Sequence, residues 1–203
     1  MSAGSSKNPD EEDSVARSAG LKKASTGARK PAAAAKNQAA APVVPAAPAA
    51  RTSNKKAILD ALNKAYWMEV ETTINYIANS INLDGVRAEE IKKSLATDIT
   101  VEIGHAQTLG RRIYELGGRV QGSMAFTAAQ KTLQPPRAAT DVKAVIRGVI
   151  EAENTAIRQY NETIRLCEGV DYVTQDICVR LLGEEESHCR EFLGFLREYE
   201  RKG

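Results

Sequence analysis

The sequence has little of what marks membrane, secreted or thiolate-metal proteins. No apolar run approaches the roughly 18 residues that a membrane-spanning helix needs. The N-terminus has no apolar stretch of signal-peptide type and turns acidic over residues 10–13. The three cysteines form no CxxC pair, which argues against a disulfide scaffold, a zinc ribbon and a rubredoxin-type iron site. We therefore expect a cytoplasmic protein.

The first quarter of the chain is short of the residues that build a core. Residues 2–50 are mainly Ala, Pro, Ser, Lys and Gly, with one leucine and no isoleucine or aromatic residue. Such a segment buries too little apolar surface to offset the entropy lost on ordering. We predict a disordered basic tail over residues 1–52 and a folded domain over residues 53–203.

Charge is divided unevenly between these two parts. Residues 1–56 carry ten Lys and Arg against four Asp and Glu, a net charge of +6, whereas residues 57–203 carry a net charge of −4. A basic flexible arm can bind DNA without sequence preference by neutralising phosphates. The tail can equally be an inert, solvated spacer, and the sequence leaves both interpretations open.

From residue 53 onward, apolar residues recur at three- and four-residue steps, which indicates amphipathic helices. The pattern predicts four helices, over residues 54–83, 86–116, 140–168 and 171–201. Segment 117–139 is long for a connection inside a compact domain, and a crossover along a helix bundle accounts for its length. The predicted fold is all-α: an antiparallel four-helix bundle with one long crossover.

Charged residues interrupt the apolar stripes of these helices at matched places. Two helices carry a Glu-x-x-His motif, whose two residues point to the same side of a helix, and the other two carry a single inward glutamate. The six residues are Glu69, Glu102, His105, Glu153, Glu185 and His188. A tyrosine follows each single glutamate seven residues later, at Tyr76 and Tyr160. The chain thus contains two copies of one pattern.

Four carboxylates in a dry bundle core are very costly unless they are compensated. Two divalent cations would balance their four negative charges. Carboxylate ligands with one imidazole per metal suit iron, or alternatively manganese, better than zinc or copper. We therefore predict two iron ions bound within one chain. Such a pair of Fe(II) ions can pass two electrons together to O2 or H2O2, which predicts a ferroxidase.

These motifs, with the run DYVTQD…LLGEEESH at 171–188, resemble the ferritin-like superfamily, and most closely bacterioferritin and its shorter Dps-like relatives. The resemblance covers residues 55–200. It implies that the six residues bind two irons, with Glu102 and Glu185 bridging and Glu69 and Glu153 terminal. It also implies that Tyr76 lies beside the site, and that Fe(III) is stored inside a hollow homo-oligomer.

Two departures from bacterioferritin change what the resemblance implies. Ile103 stands where bacterioferritins have the methionine that ligates haem, so no haem is expected. The chain ends fifteen residues after His188, which leaves no room for the fifth helix of 24-subunit shells. This favours a twelve-subunit cage of Dps-like type, although here all six ligands sit on one chain.

Two other functions and several other residues remain open. The chain could be a rubrerythrin-like di-iron peroxidase or oxidase without storage, or a Dps-like nucleoid-binding protein whose iron chemistry is secondary. Glu71 and Glu151 fall two residues off the stripes, so we expect them on the surface or lining a pore, with a ligand role only if the register is shifted. Cys178 and Cys189 lie on nearly one face of the last helix, either as small buried residues or as redox-active thiols.

Overall fold

The computed structural model describes residues 49–201, with side chains from Asn54 onward. Its helices are α1 (Ala49–Asn82), α2 (Glu89–Glu115), α3 (Val142–Cys167) and α4 (Tyr172–Glu200). A single 3-10 turn, Ser123–Ala125, interrupts the α2–α3 connection, and this part of the chain contains no strand. The predicted four-helix bundle with one long crossover is confirmed. The predicted tail lies outside the described residues, apart from its last four positions, which belong to α1.

Short turns make each helix pair an antiparallel hairpin. Gly85 and Gly169 lie in these turns with φ of +96° and +67°, a left-handed conformation that favours glycine. Asp141 and Asp171 cap α3 and α4, since each side chain accepts a hydrogen bond of 3.1 Å from the backbone N–H three residues later. α1 packs along α2 and α3 along α4, and contacts between α1 and α3 join the two hairpins.

The apolar core is divided into two clusters at opposite ends of the bundle. One surrounds Leu83, Ile91 and Phe192, and the other surrounds Ile113 and Leu181. Between the clusters, all four helices turn glutamates inward. The clusters therefore provide the hydrophobic stabilisation on either side of a polar layer. None of the described helices combines the length and apolarity that crossing a bilayer requires.

The crossover is held against α1 by a buried carboxylate. Glu71 accepts hydrogen bonds from the backbone N–H groups of Ala129 and Gln130, each at 2.8 Å. The expectation of a surface position for Glu71 is wrong, because the crossover covers this face of α1 and leaves the residue 5 % exposed. Glu151 is exposed as expected, and both glutamates border a cleft of about 560 Å³ beneath the crossover.

Contacts further along the crossover bring it close to α1 and α3. The Asn79 side chain donates a hydrogen bond of 2.8 Å to the carbonyl of Leu133, whose own side chain is fully buried. A Cβ atom at Gly148 would lie 2.5 Å from the carbonyl oxygen of Thr132, so the crossover can approach α3 this closely only at a glycine.

We expect Glu71→Ala to destabilise the fold, because it leaves two backbone N–H groups of the crossover without their acceptor. The free energy of unfolding should fall by about 1–3 kcal/mol. Urea denaturation followed by circular dichroism measures the change. The matched control Glu151→Ala removes an exposed carboxylate and should change stability by less than about 0.5 kcal/mol. Equal midpoints for the two variants would show that Glu71 does not anchor the crossover.

Candidate metal centre

All six predicted ligand residues lie at one level of the bundle, in two overlapping groups. One group is Glu69, Glu102, His105 and Glu185, and the other is Glu102, Glu153, Glu185 and His188. Within each group, one donor atom from every residue lies within 4.8 Å of the others. Glu102 and Glu185 belong to both groups and are called here the inner carboxylates; Glu69 and Glu153 are the outer carboxylates. Two cations sharing the inner carboxylates fit this arrangement.

The inner carboxylates are fully buried, yet they lack hydrogen-bond partners. Within residues 54–201, none of their four oxygens accepts a hydrogen bond, and Nδ1 of His105 and of His188 has no partner either. Nδ1 of His105 lies 2.9 Å from an oxygen of Glu185 without hydrogen-bond geometry. Buried polar atoms are normally satisfied. These six atoms, four carboxylate oxygens and two imidazole nitrogens, converge on one place without hydrogen-bond partners, as ligands of bound cations would.

Two tyrosines hold the outer carboxylates from across the bundle. Tyr76 donates a hydrogen bond to Glu153, and Tyr160 donates one to Glu69; all four side chains are buried. Each tyrosine thus serves the glutamate of the other hairpin and links α1 to α3. Of these two tyrosines, only Tyr76 was predicted from the sequence to lie beside the site. The same seven-residue spacing in both copies was the signal that pointed to Tyr160.

Burial and neighbouring charge favour the protonated form of the outer carboxylates. Loss of hydration raises the pKa of Glu69 and Glu153 well above the usual value, and the negative charges of the inner carboxylates raise it further. Burial also raises the pKa of both tyrosines, and the outer carboxylate that each tyrosine faces and then the inner carboxylates raise it further. Burial therefore favours the neutral form of the outer carboxylates and of the tyrosines in the metal-free site.

The inner carboxylates and the histidines form a charged set instead. Burial opposes the ionisation of Glu185, but the adjacent His105 and His188 outweigh it and lower its pKa to about 2. Burial likewise opposes the charging of the histidines, and the inner carboxylates outweigh it, raising the pKa of His105 to about 12 and that of His188 to about 10. Burial opposes the ionisation of Glu102 as well, but the same two histidines lower its pKa. These shifts favour two negative and two positive charges in the metal-free site.

The family model of the ferritin-like domain matches residues 59–202. The chain belongs to the ferritin-like family. It is 26 % identical over 139 residues to a bacterioferritin of Desulfovibrio desulfuricans, covering 68 % of this chain and 73 % of that protein. It is 28 % identical over 134 residues to a DNA protection during starvation protein of Pyrococcus furiosus, covering 64 % and 72 %.

A solved structure supports the same relationship. A dodecameric thioferritin from Bacteroides fragilis, described as bacterioferritin-related, superimposes with a TM-score of 0.61 at 25 % identity, covering 71 % of this chain and 87 % of that one. The resemblance found in the sequence, to bacterioferritin and Dps proteins of the ferritin-like family, is therefore confirmed. Membership of this family is consistent with iron storage and with ferroxidase activity.

Two acidic residues near the site of this ferritin-like chain had no part in the sequence prediction of ligands. Glu184 is half-exposed, and its Oε2 lies 2.8 Å from Nε2 of His105. Asp98 is buried on α2; burial raises its pKa to about 6, although the positive charge of His188 opposes the rise. No motif pointed to Asp98, and Glu184 was only a neighbour of Glu185 in the sequence.

Neither the cysteines nor Ile103, at the haem position, belong to the two donor groups found within residues 54–201. Cys167 and Cys178 are buried in one apolar cluster, and burial raises their pKa to about 11 and about 12, which disfavours the reactive thiolate. Cys189 is also a buried free thiol. These environments favour the interpretation as small buried residues. Ile103 is exposed on α2, and the absence of haem stays a prediction.

We expect metal uptake to release protons. Metal ligands must be ionised carboxylates and neutral imidazoles. Both outer carboxylates and both histidines must then each lose a proton, so up to about four protons leave per metal pair. The apparent affinity for Mn(II) or Co(II) should accordingly rise with pH, because protons compete for the same atoms. Calorimetry in two buffers of different ionisation enthalpy measures the protons released. Uptake without proton release would contradict this charge state.

Proposed function

We propose that this protein is a ferroxidase that oxidises Fe(II) with O2 or H2O2 at a di-iron site within one chain and stores Fe(III) inside a hollow homo-oligomer. The observation that carries the proposal is the pair of overlapping donor groups with unsatisfied buried atoms. Two Fe(II) ions held side by side supply two electrons together to the oxidant and avoid one-electron products. Manganese suits the same ligands and is the alternative metal.

In this proposal each residue type has a separate task. The inner carboxylates bridge the two metals, and each outer carboxylate and each histidine serves one metal. The hydroxyls of Tyr76 and Tyr160 keep the outer carboxylates aimed at the centre. Four carboxylate charges balance two divalent ions, so the loaded site leaves no net charge in the core. Of the two tyrosines, Tyr76 is the one that we assign to the reaction.

We infer a cage of twelve subunits. The Bacteroides fragilis thioferritin is dodecameric. In the single chain, α1 also exposes Ile74, Ile77 and Ile81, which recur at three- and four-residue steps along one face. An apolar stripe of this kind on a soluble helix is suited to contact with another subunit.

A rubrerythrin-like enzyme without storage is the less favoured alternative. Enzymes of that type resemble this bundle but draw electrons from a CxxC-containing iron domain. The chain is instead similar to a bacterioferritin and to a DNA protection during starvation protein. This similarity favours storage over turnover with an electron-donor protein.

We expect Glu102→Ala and Glu185→Ala each to abolish the fast phase of Fe(II) oxidation, because each removes an oxygen pair that both metals share. Stopped-flow absorbance after mixing metal-free protein with Fe(II) and O2 measures the initial rate. Glu186→Ala is the matched control, since it removes an exposed carboxylate next to Glu185. Circular dichroism establishes that the helices stay folded. Unchanged rates in both inner-carboxylate variants would refute the site.

Sedimentation of the full-length protein, in the same preparations, distinguishes storage from a non-storing enzyme. A storage cage should sediment as about twelve chains and retain Fe(III) after oxidation. A dimer or other small oligomer would instead favour the rubrerythrin-like alternative.

The N-terminal tail carries a second proposal, non-specific DNA binding. Residues 1–56 carry a net charge of +6, of which the tail itself (residues 1–52) carries +4, and the remaining residues carry −4, which alone would repel DNA. Twelve tails on one particle would present a net charge of about +50, and tethering raises the effective concentration of each weak arm. The relative from Pyrococcus furiosus is a DNA protection during starvation protein.

We expect the full chain to bind linear duplex DNA, and a chain shortened to begin at Ser53 to bind far more weakly. Binding should fall steeply between about 50 and 300 mM salt, because counterion release drives it. Gel shifts measure both effects. Replacing Lys22, Lys23 and Lys30 by Gln keeps the tail's length and should also weaken binding. Equal shifts by the full and shortened chains, or none at the lowest salt, would rule out a DNA-binding tail.

A further inference from the structure

The two histidines of the centre differ in what holds the far side of the imidazole ring. Both rings turn Nδ1 towards the inner carboxylates. Nε2 of His105 lies 2.8 Å from Oε2 of Glu184, whereas among the described residues His188 makes its polar contacts through Nδ1 alone. The His105 side chain is 4 % exposed and the His188 side chain 14 %. His105 is therefore the more firmly held of the two.

The internal repeat shows why the two histidines differ. Glu184 directly precedes the inner carboxylate Glu185 on α4. The residue at the same place on α2, directly before Glu102, is Val101, which has no polar side-chain atom. Val101 and Glu184 line one cleft of about 290 Å³ between α2 and α4, and His105 forms part of its wall. The copy of the pattern on α4 thus supplies a carboxylate, Glu184, to the histidine of α2. The copy on α2 has Val101 at that place and supplies none.

Asp98 does not replace the missing partner of His188. Its carboxylate is buried four residues before Glu102 and lies 3.5 Å from the hydroxyl of Ser94. The charge of His188 acts on Asp98, but no hydrogen bond joins the two side chains within residues 54–201. Arg180, which also lines the cleft, pairs with Asp176 and leaves Glu184 to His105.

We infer that Glu184 is a positioning residue that orients His105 for metal binding, and that the two metal positions consequently fill in order, the Glu69–His105 position first. A carboxylate that accepts the Nε2 proton fixes the tautomer with Nδ1 free, restricts the ring and makes Nδ1 a stronger ligand. The position built on Glu153 and His188 lacks this support and binds more weakly. The inference rests on the proposed di-metal site.

Titration of metal-free full-length protein with Co(II), followed by calorimetry and by Co(II) absorption, tests the inference. The unaltered protein should bind two ions in two separate steps. Glu184→Ala should weaken the first step about ten- to a hundredfold and bring the two steps together, because loss of such a partner has that effect on metal affinity. Glu184→Gln keeps an oxygen acceptor and should restore much of the first step. Melting curves establish that the variants fold.

Three further variants identify the position and control for charge. Glu186→Ala removes the same charge from an exposed site on α4 and should leave both steps unchanged. His188→Ala should retain the first step, and His105→Ala should lose it.

The outcomes separate this inference from the proposed function. Two equal steps that Glu184→Ala leaves unchanged would overturn the ordered filling while the di-metal site stands. Equal weakening by Glu184→Ala and Glu186→Ala would reveal a general charge effect and also overturn the role of Glu184. Absence of Co(II) binding in the unaltered protein would overturn both the inference and the metal site on which it rests.

Discussion

The structure depends on the burial of four carboxylates in the middle of a helix bundle. Ionised and uncompensated, they would cost more free energy than a domain of this size can supply. Without metal, burial favours protonation of two of them, which accept hydrogen bonds from tyrosines, and the other two lie against the two histidines. The apolar clusters on either side supply the hydrophobic stabilisation that this polar layer lacks.

The crossover gives this polar layer its reciprocal contacts. It carries the chain from the end of α2 back to the opposite end of the bundle, so α3 runs antiparallel to α1. The two hairpins, each carrying one copy of the glutamate–tyrosine and Glu-x-x-His pattern, then face each other around a pseudo-twofold axis. That is why Tyr76 reaches Glu153 while Tyr160 reaches Glu69. A short connection in place of the crossover would start the second hairpin from the other end and separate the matching residues.

Helical periodicity and the lengths of the connections were enough to predict the fold and the level shared by the six residues, because the rise and turn of a helix place side chains at regular intervals. The residues that they missed depend on other features. Glu71 is buried only because the crossover covers its face of α1, and the path of a loop leaves no period in the sequence. Glu184 lies at the rim of a cleft and contacts His105 only through the extension of its long side chain, which the helical period does not reveal. The predicted start of the second helix, at residue 86, also differs from the structure. Residues 86–88 form a turn, so α2 begins at Glu89.

The charge state of the metal-free centre indicates whether its metal is a permanent structural ion or one that is bound and released repeatedly. A structural metal site is one whose ligands cannot be buried together until the ion arrives, so binding and folding are one event. Here the directions of the pKa shifts favour two ionised carboxylates, two imidazolium groups and two protonated acids, which together carry no net charge. The ligands can stay assembled whether ions or protons occupy them. A centre that exchanges protons for cations within a fixed bundle is suited to filling and emptying repeatedly, as iron oxidation followed by storage requires.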